Sequence, residues 1–190
     1  DARSLMSADL EISTRRALGQ QDLAFLNGLT NQNIRWIHIH EMLTMASDSD
    51  ARETQLVELK SIQNGYPFYG TLKTIPAHPL NSLMDFKKND EDRFGALVQE
   101  ALLLKLDLAV GDDLHIGHAN FVITGTIQRE PDRIAGAFSL GPRVIISHAG
   151  LDAAQLIQPG SRVRHRYLFE IPPTTAPETV KETLRNTLID

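Results

Sequence analysis

Two histidines are the residues whose type and spacing first suggest chemistry. His38 and His40 alternate with Ile37 and Ile39, so both imidazoles project from one face of a predicted strand. That spacing can hold two imidazoles on one metal ion, but a third ligand would be needed. No HExxH or carboxylate–histidine motif lies in the sequence, so we predict solvent-facing or hydrogen-bonded histidines and assign no metal ligand. We give no role to the histidines isolated in predicted loops or element ends, which are His78, His115, His118 and His148.

Ser139 is the one residue whose surroundings suggest a nucleophile. The run AFSLG at residues 137–141 is similar to a nucleophile elbow, in which a serine sits on a sharp turn between a strand and a helix. Its first glycine is missing, however, and Pro142 with a β-branched run follows where a helix should begin. We therefore predict a structural turn. The sequence contains no glycine-rich phosphate loop and no cofactor fingerprint, so we expect no catalytic residue and no cofactor.

Charged residues in two places are candidates for contact with a partner or cargo. The first set lies on one face of a predicted strand and suits lipid phosphates or an acidic partner, although arginines on a strand face are commonly solvated or protect an edge. The second set lies in a polar loop around Pro131, and loops on rigid scaffolds often carry binding. The candidates are Arg162, Arg164 and Arg166 on the strand, and Arg129, Glu130, Asp132 and Arg133 in the loop.

The composition excludes several classes of protein. The 190 residues are 42% hydrophobic and 23% charged, which is typical of a folded domain of ordinary size. A net charge of -5 makes nucleic acid an unexpected partner. With no cysteine, the chain has neither a disulfide nor a thiolate site, and its compartment cannot be inferred from cysteine usage.

Hydrophobic periodicity places strands and helices along the chain. Residues 10–14, 34–45 and 55–62 alternate as strands do, and residues 20–29 have helical spacing. From residue 63 the sustained hydrophobic period is lost. Prolines and glycines are followed by short predicted strands, which suggest a small twisted sheet of their own. Residues 162–169 again alternate, and a helix begins near Pro177. We predict an α+β fold, with a subdomain made of residues 1–62 and 162–190 interrupted by a mostly β insertion of residues 63–161.

Several stretches carry a resemblance to a known family. Residues 95–114 read GALVQEALLLKLDLAVGDDL, residues 127–133 IQREPDR, residues 138–147 FSLGPRVIIS and residues 158–168 QPGSRVRHRYL. YPFYG at residues 66–70 adds a further match. Together they resemble the MacB-like periplasmic core domain of ABC-transporter permeases of the MacB/FtsX type, most closely the YbbP-like permeases, over most of residues 60–170.

This resemblance implies an architecture and a function. In that family a "porter" α+β subdomain is interrupted by a "sabre" insertion, and the domain lies between two membrane helices. It implies an extracytoplasmic, periplasmic domain of an inner-membrane protein, joined to a cytoplasmic ABC ATPase subunit and a second permease copy. The domain would bind cargo or a periplasmic protein and transmit ATP-driven conformational change, in the export of lipids, lipoproteins or hydrophobic compounds. It implies no catalytic residue.

Two other functions stay open at the level of sequence. A stand-alone periplasmic hydrolase would need Ser139 beside an imidazole, and a passive scaffold or adhesion module would need no movement within the domain. The family interpretation expects two lobes rather than one continuous sheet. Because the chain opens Asp1-Ala2-Arg3 without an initiator methionine, we also expect it to be part of a longer, membrane-anchored protein.

Overall fold

A computed structural model describes residues 7–88, 91–133 and 139–188. The strands are β1 (Leu10–Thr14), β2 (Arg35–Ser47), β3 (Thr54–Ile62), β4 (Lys73–Ile75), β5 (Asp85–Lys88), β6 (Glu91–Val98), β7 (Asp113–Ile116), β8 (Ala119–Arg129), β9 (Arg143–Ser147) and β10 (Arg164–Glu170). The helices are α1 (Gln20–Gly28), α2 (Leu80–Met84), α3 (Glu100–Leu106), α4 (His148–Ala154) and α5 (Pro177–Thr187), with a 3₁₀ turn at Leu29–Gln32 after α1. None of the helices in these ranges is long and apolar enough to cross a lipid bilayer.

The long strands form where side chains alternate in polarity, as the sequence predicts. In β2 the odd-numbered Ile37 and Ile39 are buried on one face, while the even-numbered His38 and His40 lie on the other. Helix α5 begins with Pro177, which needs no hydrogen-bonded N–H at that position. The hairpin between β7 and β8 turns through two residues, and Gly117 there has a φ of 58°.

All ten strands belong to one sheet, in the order β1-β10-β2-β3-β9-β6-β8-β4, with β5 beside β6 and β7 beside both β2 and β8. Most neighbours are antiparallel, whereas the pairs β3/β9 and β6/β8 are parallel. A large, mainly antiparallel sheet with a few separate short helices is an α+β fold, so the predicted fold class is confirmed.

The expectation that the two predicted ranges form separate sheets is wrong. Strands β1, β10, β2 and β3 form one half of the sheet and strands from 63–161 form the other half, but β3 and β9 join the halves through the register Glu58–Arg143 to Ile62–Ser147. At Ala46 and Ser47, β2 also pairs with β7, which closes β2, β3, β9, β6, β8 and β7 into a ring. Hydrogen bonds between strands continue across the predicted boundary because β3 and β9 are largely buried, so their backbone N–H and C=O groups need partners.

Three apolar clusters pack against this sheet. The first lies inside the ring and contains Val57, Leu59 and Phe121, and the second lies on the opposite face around Ile37 and Ile39. The third packs helices α1 and α5 against β10, around Tyr167 and Phe169. By the alternation of β2, β3 and β10, the first and third clusters share one face of these strands, and the second occupies the other.

The segment from 64 to 92 differs from the sequence expectation. Its prolines and glycines leave no sustained hydrophobic period, yet it contains β4, α2 and β5, each three to five residues long. Helix α4 starts at His148, because the side chain of Ser147 caps it by accepting from the N–H of Gly150 at 3.0 Å.

Candidate functional site

A groove of about 1340 Å³ opens on the face of β1, β2, β3 and β10 that carries the second apolar cluster. Six arginines and four carboxylates line it, so the groove has an excess of positive charge although the whole chain has a net charge of -5. The charged lining residues are Arg15, Arg133, Arg143, Arg162, Arg164, Arg166, Glu11, Glu41, Glu58 and Asp132.

Beneath the groove lies a buried charge network, made of Lys60, Glu130, Asp132, Arg143 and Arg166. The side chain of Lys60 is 0% exposed, and its Nζ donates to Glu130 Oε1 and to Asp132 Oδ1, each at 2.8 Å. Arg143 Nε donates to Glu130 Oε2 at 3.0 Å. Every charge therefore has an opposite charge within hydrogen-bond distance, as burial requires.

Arg166 connects the buried charge network to the wall of the groove. Its Nη1 donates to Asp132 Oδ2 at 2.9 Å and to Glu41 Oε1 at 2.8 Å. Its Nε and Nη2 donate to the two oxygens of Glu11, both at 2.9 Å. This fork geometry is the strongest form of an arginine–carboxylate pair, so Arg166 fixes β10 between β1 and β2.

Asp132 and Glu41 are held in their charged form by neighbouring cations. Burial alone would raise the pKa of Asp132, but the positive charges of Lys60 and Arg166 outweigh it and lower that pKa to about 2. Burial likewise opposes ionisation of Glu41, and the charges of Arg166, Arg143 and Lys60 still lower its pKa. For Tyr66, burial and the neighbouring Asp132 raise the pKa well above its ordinary value, so the phenol stays protonated.

The structure gathers most of the predicted contact residues in one place. Five of the seven line the groove, namely Asp132, Arg133, Arg162, Arg164 and Arg166. Glu130 lies below them and is paired with Lys60 and Arg143. Arg129 is exposed at the end of β8, beside β4, and does not line the groove. Whether any of the seven contacts a partner stays a prediction.

The rim is where charge stays accessible to a ligand. Arg164 is 58% exposed, with Ser13 Oγ accepting from its Nε at 2.9 Å and with carboxylates only at 3.7 and 3.8 Å. Arg162 is exposed and makes no hydrogen bond or ion pair with any residue in the described ranges. Leu43 and Leu140 are also exposed in the groove, so cations and apolar side chains lie next to each other.

Sequence reasoning did not find the partners of these arginines. Glu11 on β1 and Glu41 on β2 are far in sequence from Arg166 on β10, and each looked like an ordinary polar position of an alternating strand. Lys60 on β3, the partner of Glu130 and Asp132, was not found either. A signal was present, because Lys60 falls where the strand pattern points inward, between buried Leu59 and Ile62. A buried lysine needs acidic partners, and the loop 129–133 supplies two.

On the opposite face of the same strands, the structure brings four histidines together, His38, His40, His148 and His165, here called the histidine cluster. His40 lies opposite His165 on β10 and opposite Ser61 on β3. His38 Nε2 is 2.9 Å from His165 Nδ1, and His40 Nδ1 is 3.2 Å from His148 Nε2. His148 and His165 were missed because they come from α4 and β10, far from His38 in sequence.

Burial keeps the imidazoles of the histidine cluster neutral. It lowers the pKa of His38 to about 2 and that of His40 to about 3, and the neighbouring histidines add to both effects. Burial also lowers the pKa values of His148 and His165. One ring nitrogen from each of His38, His40 and His165 lies within 4.8 Å of the other two, so the third ligand that the sequence analysis required is present.

Ser139 has surroundings that fit the predicted turn rather than a nucleophile. Its hydroxyl donates to the carbonyl of Gly141 at 2.9 Å and accepts from Arg133 at 3.1 Å. Among the described residues no imidazole hydrogen-bonds to it, and the histidine cluster lies on the other face of the sheet. The geometry therefore lacks the base that activates a serine.

Comparison with known proteins relates the chain to a transporter. It is 29% identical over 170 residues to the uncharacterized ABC transporter permease YbbP of Escherichia coli (strain K12), a match that covers 88% of this chain and 19% of that protein. The chain is homologous to a segment of an ABC transporter permease. It therefore spans about a fifth of the length of this curated relative. No model of a known protein family matches it.

A solved structure supports the same fold. The crystal structure of a domain assigned to a permease protein of Porphyromonas gingivalis superimposes with a TM-score of 0.56, at 13% identity, over 93% of this chain and 80% of that one. At this identity the likeness concerns the fold alone. It agrees with the α+β architecture described above.

Proposed function

We propose that this chain is an extracytoplasmic, periplasmic domain of an ABC transporter permease, and that its groove binds cargo or a periplasmic partner. The sequence match to a permease over 88% of the chain carries the proposal. An ABC permease works with an ATPase, so we propose a separate cytoplasmic ATPase subunit and a second permease copy as partners. The MacB/FtsX type and the porter and sabre ranges 1–62 with 162–190 and 63–161 belong to this proposal.

The continuous sheet changes how such a domain would transmit movement. Displacement of the two halves against each other would break the β3/β9 hydrogen bonds from Glu58 to Ser147. Those bonds lie between apolar clusters and have no water to replace them. We therefore propose that the whole domain moves as one body when the ATPase acts, and that cargo in the groove moves with it.

The lining of the groove indicates the class of cargo. Exposed Arg162 and Arg164 offer sites for an anionic group, and Leu43 and Leu140 beside them offer an apolar surface. A ligand with a phosphate or carboxylate next to a hydrocarbon part satisfies both, as a lipid or the acylated end of a lipoprotein does. This supports export of lipid-like compounds over a passive scaffold.

Location is tested by cysteine labelling, because the chain has no cysteine of its own. In the full-length permease, with other cysteines replaced, Ser82→Cys places a thiol on the exposed surface of α2. A membrane-impermeant maleimide added to intact cells with a permeable outer membrane should label it. Ser61→Cys, at a buried position, is the matched control and should stay unlabelled. Labelling of Ser82→Cys only after the inner membrane is opened would refute the periplasmic location.

The groove is tested with a defined amphiphile, fluorescent lysophosphatidylglycerol below its micellar concentration. We expect saturable binding to the 190-residue chain, weakened at least about tenfold by Arg162→Glu with Arg164→Glu, because reversal of two accessible charges repels the anion. Arg129→Glu, an equally exposed arginine outside the groove, is the control. An equal loss with Arg129→Glu, or no binding at all, would rule out this type of cargo.

A further inference from the structure

The histidine cluster is a second group of candidate functional side chains, and none of its members lines the groove. It lies on the opposite face of β2 and β10, between the apolar cluster of the strand ring and the one under α1 and α5. His38 stacks on Tyr167, with ring centroids 4.3 Å apart and planes 14° apart. His165 is 6% exposed, whereas the other three are half-buried, so the site is walled by protein yet open to small solutes.

The distances suit ligation of one ion. A Zn²⁺–imidazole bond is about 2.0–2.1 Å, so two ligand nitrogens in tetrahedral arrangement lie roughly 3.4 Å apart. The facing pairs His38/His165 and His40/His148 are at 2.9 and 3.2 Å. One ring nitrogen from each of His38, His40 and His165 lies within 4.8 Å of the other two, so three ligands are already close together. His148, next to His40, is placed to turn towards the same ion as a fourth ligand.

The chemistry of the donors selects the ion. All four side chains are imidazoles, a ligand type that prefers Zn²⁺, Cu²⁺ and Ni²⁺ over Mg²⁺ or Ca²⁺. In the described ranges the ring nitrogens hydrogen-bond to one another, to Ser61 and to the backbone of His38, and the nearby charge of Asp152 acts on His148 electrostatically. The rings are already neutral at pH 7, since burial lowers all four pKa values, so no proton must leave before a metal binds.

The four histidines come from distant parts of the sequence, and their meeting in the fold suggests a function. His38 and His40 come from β2, His165 from β10 and His148 from α4, which belongs to the other half of the sheet. Neutral imidazoles facing one another satisfy only part of their hydrogen-bonding capacity. A shared ion satisfies all four at once and ties both halves of the sheet together.

We propose that His38, His40, His165 and His148 bind one Zn²⁺ ion. In the bound state each ring offers the lone pair of its facing nitrogen, and its single N–H lies on the other nitrogen. The ion joins α4 to β2 and β10, and so stiffens the sheet at the junction of its halves. This proposal does not depend on the permease function.

Calorimetric titration of the tag-free chain with ZnCl₂ tests the proposal. We expect saturation at one equivalent, and no heat of specific binding with MgCl₂. His148→Ala, which removes a ligand at the start of α4, should weaken Zn²⁺ binding at least about tenfold, and His40→Ala at least as much. His78→Ala with His118→Ala, two exposed histidines outside the cluster, is the matched control and should leave the affinity unchanged.

A second measurement covers the case in which a ligand variant fails to fold. Nitrogen-15 NMR of the wild-type imidazoles during the Zn²⁺ titration should show four rings shifting together, and the other three should not move. Substitution with Co²⁺ should give the intense visible absorption of a tetrahedral site. The proposal fails if the titration shows no stoichiometric binding, if His78 and His118 account for it, or if the rings that shift lie outside the cluster.

Discussion

Lys60 is the single side chain on which the buried charge network depends. It is enclosed completely and sits between two carboxylates and the hydroxyl of Tyr66, all at 2.8 Å. A charge so deep is not strong evidence of added stability, since desolvation offsets much of the attraction. Removing the lysine charge should destabilise the fold, because Glu130 and Asp132 would stay buried with one partner fewer.

We predict that Lys60→Met lowers the free energy of unfolding by about 3–5 kcal/mol, the usual range for breaking a buried ion pair. The measurement is urea unfolding followed by the fluorescence of Trp36. Lys181→Met is the matched control, because Lys181 makes an exposed contact with Glu178 at 3.6 Å and should change stability by less than about 0.5 kcal/mol. Equal effects of the two substitutions would contradict the account of the network.

The histidine cluster makes stability depend on pH in a defined direction. Burial lowers the pKa of His38 to about 2 and that of His40 to about 3 in the folded chain, whereas in the unfolded chain both return to about 6.5. Below pH 6.5 the imidazoles of His38 and His40 therefore bind protons in the unfolded chain but not in the folded chain. Stability is complete above that value and falls as the pH falls through the window from 6.5 towards 3.

We predict an uptake of about two protons on unfolding near pH 5 from these two residues, measured as the slope of the unfolding free energy against pH in the presence of EDTA. His148 and His165, whose pKa values burial also lowers, add to this slope below pH 6.5. Glu41 and Asp132, whose pKa values are lowered, act in the same direction but only below about pH 4.5. His40→Asn should reduce the slope by about one proton. If the slope of unfolding free energy against pH is unchanged in that variant, the histidine cluster is not the source of the pH dependence.

At the scale of elements, α2 packs on β6 at a distance that only glycine permits. A Cβ at Gly95 would lie 2.0 Å from the carbonyl oxygen of Leu83 and 2.5 Å from that of Met84. Both are backbone atoms and cannot rotate away. The close approach also lets Thr124 on β8 donate to the Leu83 carbonyl, so the helix is tied to two strands.

Gly95→Ala should therefore destabilise the fold by about 1–3 kcal/mol or more, as overpacking does, which thermal unfolding measures as a lowered midpoint. Gly28→Ala, at the end of α1 with open space around the position and helical dihedrals, is the control. It should be neutral or raise stability by up to about 1 kcal/mol. A neutral Gly95→Ala would mean that α2 does not lie against β6.

The elements show what sequence alone can predict. Alternation predicts long strands such as β2 and β10, and helical spacing or an initial proline predicts α1 and α5. The predicted bounds of β2 and β10 are correct to within about two residues. The three short elements between 73 and 88 were missed, because three to five residues hold too little of any period. Parallel pairing, as in β3/β9, joins distant segments and leaves no local mark.

The candidate sites show the same limit, because local patterns were predictable from sequence and long-range strand pairing was not. Charge and spacing were enough to single out Arg164, Arg166 and Asp132, which the structure places in one groove. The acidic partners of those arginines are spread over β1 and β2, and only the register of β1 on β10 brings Glu11 to Arg166. The histidine cluster likewise depends on long-range pairing, so two of its four members had no local signal.

At the scale of the whole molecule, one sheet carries two chemically different faces. The groove with its arginines occupies one face of β2 and β10, and the histidine cluster occupies the other. Because successive side chains of a strand point to opposite faces, Glu41 reaches the groove while His40, its neighbour, reaches the cluster.

That continuity also predicts how the domain unfolds. If β3 and β9 share hydrogen bonds and two apolar clusters cover them, residues 63–161 cannot lose structure while the remainder keeps its own. Hydrogen exchange measured by mass spectrometry should show amides of β3, β9 and β10 opening together, with the free energy of global unfolding. Two separate lobes would instead give early exchange in β6, β8 and β9 and a protected β1, β2 and β10.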